Sequence, residues 1–240
     1  MAQHAPPARG ARLGRAAGAN GSVSTVSGVV LLLPGASRWS PGPVRPLARA
    51  LARAGGTDGL VVHAVLPGRG TNREEDAGWG AEEVVRRYGD VPVCLAGYDA
   101  GGRAALRAAG HHAVNSVLAL APSLGRTVST DSPEPVKQLS GRQVLIVHGT
   151  NDAHSDPEAS FRLAARAKKA NRATCRFEVH SDGHRLRDHQ AEVVALSVDF
   201  VLGAMLSGRY SRPVTDALAA PPPLGLRMPL ASGFGHSLRG

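Results

Sequence analysis

Between about residue 22 and residue 204, short apolar and β-branched runs alternate with longer Ala-rich stretches. Six runs are bounded by Gly, Pro, Asn or Asp: Val29 to Leu33, Leu60 to Leu66, Pro92 to Ala96, Ser116 to Ala121, Val144 to His148 and Thr174 to His180. Continuous apolar runs of that length between turn signals predict strands covered on both faces. Between them the pattern predicts helices over Val44 to Ala54, Glu74 to Tyr88, Ala100 to Ala109, Pro157 to Ala170 and Asp188 to Ala204. The last of these carries Val193, Leu196, Phe200 and Val201 on one stripe, and Asp156 before Pro157 is a helix start with its cap. The expected architecture is α/β, a mostly parallel central sheet with helices on both faces.

The flanks read differently. Residues 1–21 are rich in Ala, Arg, Gly and Pro, and residues 205–240 include three consecutive prolines at 221–223. Both are expected to be disordered extensions of one domain over residues 22–204, since such segments bury too little apolar surface to offset chain entropy.

Charge follows this division. Of the net +9, residues 1–20 supply Arg9, Arg12 and Arg15 with no acid, and residues 205–240 supply four Arg against Asp216. The excess therefore belongs mostly to the flanks, and with only 4% aromatic residues and no binding motif, a specific nucleic-acid reader is excluded. No apolar run approaches a membrane span, and the start lacks the apolar segment of a secretory signal, so a cytoplasmic protein is expected. Cys94 and Cys175 form neither a disulfide framework nor a zinc pattern and should pack as small apolar residues.

Candidate chemistry begins where the strand ending at Ala96 runs into Gly97-Tyr98-Asp99-Ala100-Gly101 and then a helix. Small residues two before and two after the central one suit a sharp strand-to-helix corner that pushes Asp99 out at the strand's carboxyl end. After the strand Val144 to His148 comes Gly149-Thr150-Asn151-Asp152, and after Thr174 to His180 comes Ser181-Asp182-Gly183-His184. His184 is preferred over His148, His180 and His189 because Gly183 places it on a loop beyond a strand, whereas His189 opens a helix.

Corner residue, acid and histidine in that order resemble the α/β-hydrolase superfamily over about residues 22–204. The resemblance implies a catalytic triad of Asp99, Asp152 and His184, with oxyanion-hole amides from Ala100 and, in Leu33-Pro34-Gly35-Ala36, from Ala36. Pro34 stands where the superfamily often has His. In that strand order Cys94 and Cys175 lie three strands apart, beyond disulfide reach.

Aspartate at the nucleophile position, where esterases have Ser, resembles the epoxide hydrolase and haloalkane dehalogenase branches at that position alone. It implies a covalent enzyme ester hydrolysed with His184 as base. The caps of those branches have no counterpart: about 22 residues separate Ala121 from Val144, without Tyr or Trp, so no sizeable cap domain is expected. The dehalogenase halide-binding Trp is replaced by Ala100, leaving Tyr98 and Trp39 as possible pocket residues. The expectation is a hydrolase of a small organic substrate, whether through an ester, epoxide or carbon–halide bond, with no metal or cofactor implied. The alternative is an inactive member of the fold that binds a ligand or partner. A dinucleotide site is set aside, since the turn lacks G-x-G-x-x-G and the following strand ends without an acid.

Overall fold

The computed structural model describes residues 10–18, 25–36, 42–68, 72–125 and 133–235. Its strands are β1 Arg12–Leu13, β2 Ala17–Gly18, β3 Gly28–Leu33, β4 Leu60–Leu66, β5 Val93–Tyr98, β6 Val114–Leu120, β7 Gln143–Gly149, β8 Thr174–Val179 and β9 Met228–Pro229. Among the described residues six α-helices accompany them: α1 Val44–Gly55, α2 Arg73–Tyr88, α3 Ala100–Arg107, α4 Pro157–Ala170, α5 Gln190–Leu202 and α6 Arg212–Ala219. The strands lie in the order β1-β4-β3-β5-β6-β7-β8-β9, with β2 also on β4. The two short N-terminal strands run antiparallel to β4, and every other pairing is parallel.

All six residues of β3 are buried, and its side chains divide between two cores as the pleat requires. Val29, Leu31 and Leu33 meet Ala77, Ala81 and Val84 of α2 and Ala104 and Ala105 of α3 on one face. Val30 and Leu32 join Leu47 and Leu51 of α1 and Val193, Leu196 and Phe200 of α5 on the other. Cys94 on β5 and Cys175 on β8 are free, buried and three strands apart. With α5, the turn that follows it spans Gln190–Ser207 at a mean hydropathy of 1.4, enough by length and composition to cross a bilayer. The absence of an apolar run had concealed this, because Glu192 and Asp199 interrupt it. Here its apolar stripe covers the sheet.

The flanks depart from expectation. Residues expected to be a disordered tail from 205 onward continue the helix through Ser207, form α6 and a 3₁₀ turn at Leu224–Leu226, and add β9 parallel to β8. Buried polar groups of the domain reach out to fasten them. Lys168 Nζ donates to the carbonyls of Thr174 (2.8 Å), Ala217 (3.0 Å) and Leu218 (3.1 Å). Arg176, fully buried, gives Nη1 hydrogen bonds to Glu178 at 2.7 Å and to the Leu226 carbonyl at 2.9 Å. Within the other flank, Ala11 is buried and the His63 ring bridges the Gly14 carbonyl (2.8 Å) and the Tyr88 hydroxyl (2.7 Å). Composition counted the Gly and Pro of these segments but not the partners waiting in the domain.

Candidate active site

Three loops beyond the carboxyl ends of β5, β7 and β8 converge. At the first, Asp99 adopts φ 55°, ψ −122°, a conformation costly for a residue with a Cβ, on the order of 1–3 kcal/mol. The corner closes only because its flanks are glycine. A Cβ on Gly97 would lie 2.1 Å from the Gly101 carbonyl oxygen, and one on Gly101 would lie 2.1 Å from that of Leu33. The strained residue is pinned by its backbone: its N–H donates to Leu120 at 3.0 Å, and its carbonyl accepts from Arg103 (3.1 Å) and Ser123 (3.0 Å).

The Asp99 carboxylate faces two ways. Oδ2 accepts the Ala36 N–H at 3.0 Å, and the nearby Ala100 N–H also helps to lower the carboxyl's pKa. The Ala36 amide, expected to form half of an oxyanion hole, thus serves the protein's own side chain. Gly35 is required beside it, since a Cβ there would stand 3.0 Å from Oδ2. Arg73 Nη1 steadies this loop by donating to the Pro34 carbonyl at 2.9 Å. Oδ1 stands 3.5 Å from His184 Nε2.

His184 Nδ1 donates to Asp152 Oδ2 at 2.7 Å. The two loops meet at Gly149, where a Cβ would lie 2.4 Å from the Asp182 carbonyl oxygen. Asp182, buried, organises the histidine loop by accepting the N–H groups of Gly183 (2.8 Å), Arg187 (3.1 Å) and His189 (3.1 Å). Asp152 Oδ1 accepts the N–H groups of His154 (2.8 Å) and Ser155 (2.9 Å), and its Oδ2 takes a further bond from His148 Nε2 at 3.0 Å. His148 Nε2 also faces the Ser155 carbonyl at 3.2 Å, so two acceptors fix the hydrogen on that nitrogen.

The charges reinforce one another. Burial is the largest influence on His184 and pulls its pKa down, but Asp152 on one nitrogen and Asp99 at the other outweigh it, raising it to about 9. For Asp99, burial pushes upward, yet His184 and the Ala36 and Ala100 amides together hold its carboxyl below the ordinary value. Asp152 is driven far lower: burial is again opposed, here by hydrogen bonds from His148, His184 and Ser155. The resting site is an imidazolium between two carboxylates.

Asp99, Asp152, His184, Ala36 and Ala100 therefore come together. Tyr98, expected to line a pocket, is 1% exposed, with its ring 5.3 Å from that of His184 and packed against Gly42. There it backs the imidazole, because strand alternation turns it into the core as Asp99 turns out. Trp39 lies outside the described residues. Sequence reasoning missed Arg73, His148, Asp182 and His154. Only His154, two residues after Asp152, carried a signal, its proximity to a site acid. Its exposed ring lies 4.5 Å from that of His184, and Asp99, His154 and His184 can each turn one ligand atom to a common point, a grouping the sequence had not implied.

The sheet order, the helices on both faces and a corner, acid and histidine at strand ends define the α/β-hydrolase fold. Among the described residues no cap domain is inserted after β6. No protein-family model matches the sequence, and no curated protein is detectably similar to it. Solved structures do share the fold. The chain superimposes on the esterase Pf2001 of Pyrococcus furiosus with a TM-score of 0.61 and 16% identity, covering 75% of this chain and 84% of that one. A lidless α/β serine hydrolase of Xanthomonas campestris, XC6422, gives 0.58 and 18%, over 78% and 86%. Est1E of Butyrivibrio proteoclasticus, solved with ferulic acid, gives 0.60 and 13%, over 81% and 95%. At these identities the likeness is one of fold.

Proposed function

We propose that this chain is a hydrolase that acts on a small organic electrophile through a covalent ester on Asp99. One observation carries the reading: the Asp99 carboxylate has Oδ2 held by the Ala36 N–H and Oδ1 turned toward an imidazole that Asp152 orients. Oδ1 attacks the substrate carbon and the bond to the leaving group breaks; a departing oxygen takes the His184 imidazolium's proton, whereas a halide leaves as the anion and the proton goes to solvent. The transfer leaves His184 neutral when a base is needed. A water then adds to the Asp99 ester carbonyl and loses a proton to Nε2. The oxyanion formed at Oδ2 already faces the Ala36 amide. Collapse releases the alcohol and restores carboxylate and imidazolium.

Asp99 lets the amide act without an acyl substrate, because the carbonyl it polarises is the enzyme's own. The test uses a panel of epoxides, alkyl halides and activated esters with His184→Gln, which should still be alkylated by the halides, whose leaving group needs no proton, but cannot hydrolyse the ester. An intact-mass increase on this variant, and heavy oxygen from water entering Asp99 in a single turnover of the wild type, are expected. Product labelled directly from water with Asp99 unlabelled sinks the covalent route, and no adduct from any member of the panel turns the reading toward a ligand-binding protein.

A further inference from the structure

We infer that Asp99, His154 and His184 form a binding site for a zinc-class divalent cation at the mouth of the candidate active site. Their ligand atoms all lie within 4.8 Å of one another. His184 Nε2 and Asp99 Oδ1 are 3.5 Å apart, long for a hydrogen bond. That distance matches the edge of a zinc tetrahedron, about 3.4 Å for metal–ligand bonds near 2.0–2.1 Å. Two imidazoles and one carboxylate are a common zinc donor set, with the fourth position left to water.

Support behind these ligands is already in place. Asp152 accepts from His184 Nδ1 at 2.7 Å, which turns Nε2 outward, as a carboxylate behind a metal-bound histidine does. The same carboxylate accepts the His154 N–H at 2.8 Å, so one buried acid sets both histidines. His154 is exposed, with its ring 4.5 Å from that of His184. The buried Cys94 and Cys175 offer no competing thiolate. A bound cation occupies the attacking oxygen and the imidazole nitrogen together, so it inhibits; this consequence, unlike the binding, rests on the proposed function.

Zn²⁺ is titrated calorimetrically into the full chain after chelator washing. One ion per chain is expected, and His154→Ala and Asp99→Asn should each weaken binding by roughly tenfold or more. His154 is a surface residue, so its variant tests the site even where Asp99→Asn perturbs the fold. A surface cluster controls for adventitious binding: His111 and His112 stack at 4.4 Å, with Glu82 3.2 Å from His111. Absence of binding, retention in His154→Ala, or loss only in His111→Ala overturns the inference. Calorimetry needs no turnover, so zinc binding without adducts on His184→Gln removes the hydrolase reading alone, and adducts without zinc binding remove the metal site alone.

Discussion

Two carboxylates flank one imidazole and are held in opposite ways. Asp152 has a fully buried side chain whose two oxygens accept from two backbone amides and two histidines. Asp99 sits on a strained corner, its side chain 10% exposed, with one oxygen tied to backbone and the other facing only a nitrogen 3.5 Å away. A carboxylate with every lone-pair direction occupied can orient and stabilise but cannot move to attack. One with a free oxygen at a strand's end can. Hydrogen-bond occupancy, more than residue type, separates the two roles.

The widest separation is expected from substituting each acid. Asp99→Asn removes the attacking oxygen's charge and should abolish adduct formation, as read by intact mass in the His184→Gln background. Asp152→Asn leaves the attacking group untouched, so adducts should still form. Their hydrolysis should slow by about 10⁴, the scale seen when a triad acid loses its charge and the wrong histidine tautomer follows. Equal loss of adducts in both variants would show that the two acids share one role.

A smaller effect follows from the proton between them. His184 holds its proton up to about 9 in the fold against an ordinary value of 6.5. A raised value stabilises the fold fully below about 6.5, and that contribution is lost as pH rises through about 9. Its size is at most about 3 kcal/mol. Urea unfolding in metal-free buffer should therefore show stability declining across that window. The decline should be reduced in Asp99→Asn, further reduced in Asp152→Asn and absent in His184→Gln; an unchanged slope in His184→Gln assigns it to other groups.

The contrast between the acids was only half legible in the sequence. Apolar run lengths located all six long strands, and glycine spacing around residues 97–101 located the corner, because both are local consequences of backbone geometry. The order Asp99, Asp152, His184 then singled out three residues that the fold brings together. Hidden from the sequence were the groups that give each acid its character: His148 against Asp152, Asp182 beneath His184, and Arg73 behind Ala36. Arg73 reaches a carbonyl 39 residues away, and His148 and Asp182, though only a few residues from the groups they bond, are aimed by loop conformations that spacing does not reveal. Distance along the chain also concealed the folded C-terminal segment, whose anchors Lys168 and Arg176 lie 49 and 50 residues from the Ala217 and Leu226 carbonyls they bind. A composition reading of residues 205–240 contains no term for such partners.

The smallest effect tests whether backbone support belongs to Asp99 alone. Arg73 holds the Pro34 carbonyl at 2.9 Å, two residues before the amide that bonds Asp99 Oδ2. Arg73→Gln should let that loop relax and weaken the Ala36 amide facing the developing oxyanion. Removing such a donor outright costs about 10²–10³ in rate, and loosening it should cost about tenfold. The loss should fall on both alkylation and hydrolysis, since Oδ2 uses the amide in each. The pH dependence set by Asp152 and His184 should stay in place, because Arg73 touches neither. An Arg73→Gln variant with full rates would mean that the Ala36 amide is fixed by Gly35 and its neighbours without help. A variant that shifts the pH profile would mean that the two acids are coupled through the Pro34 loop as well as through the imidazole.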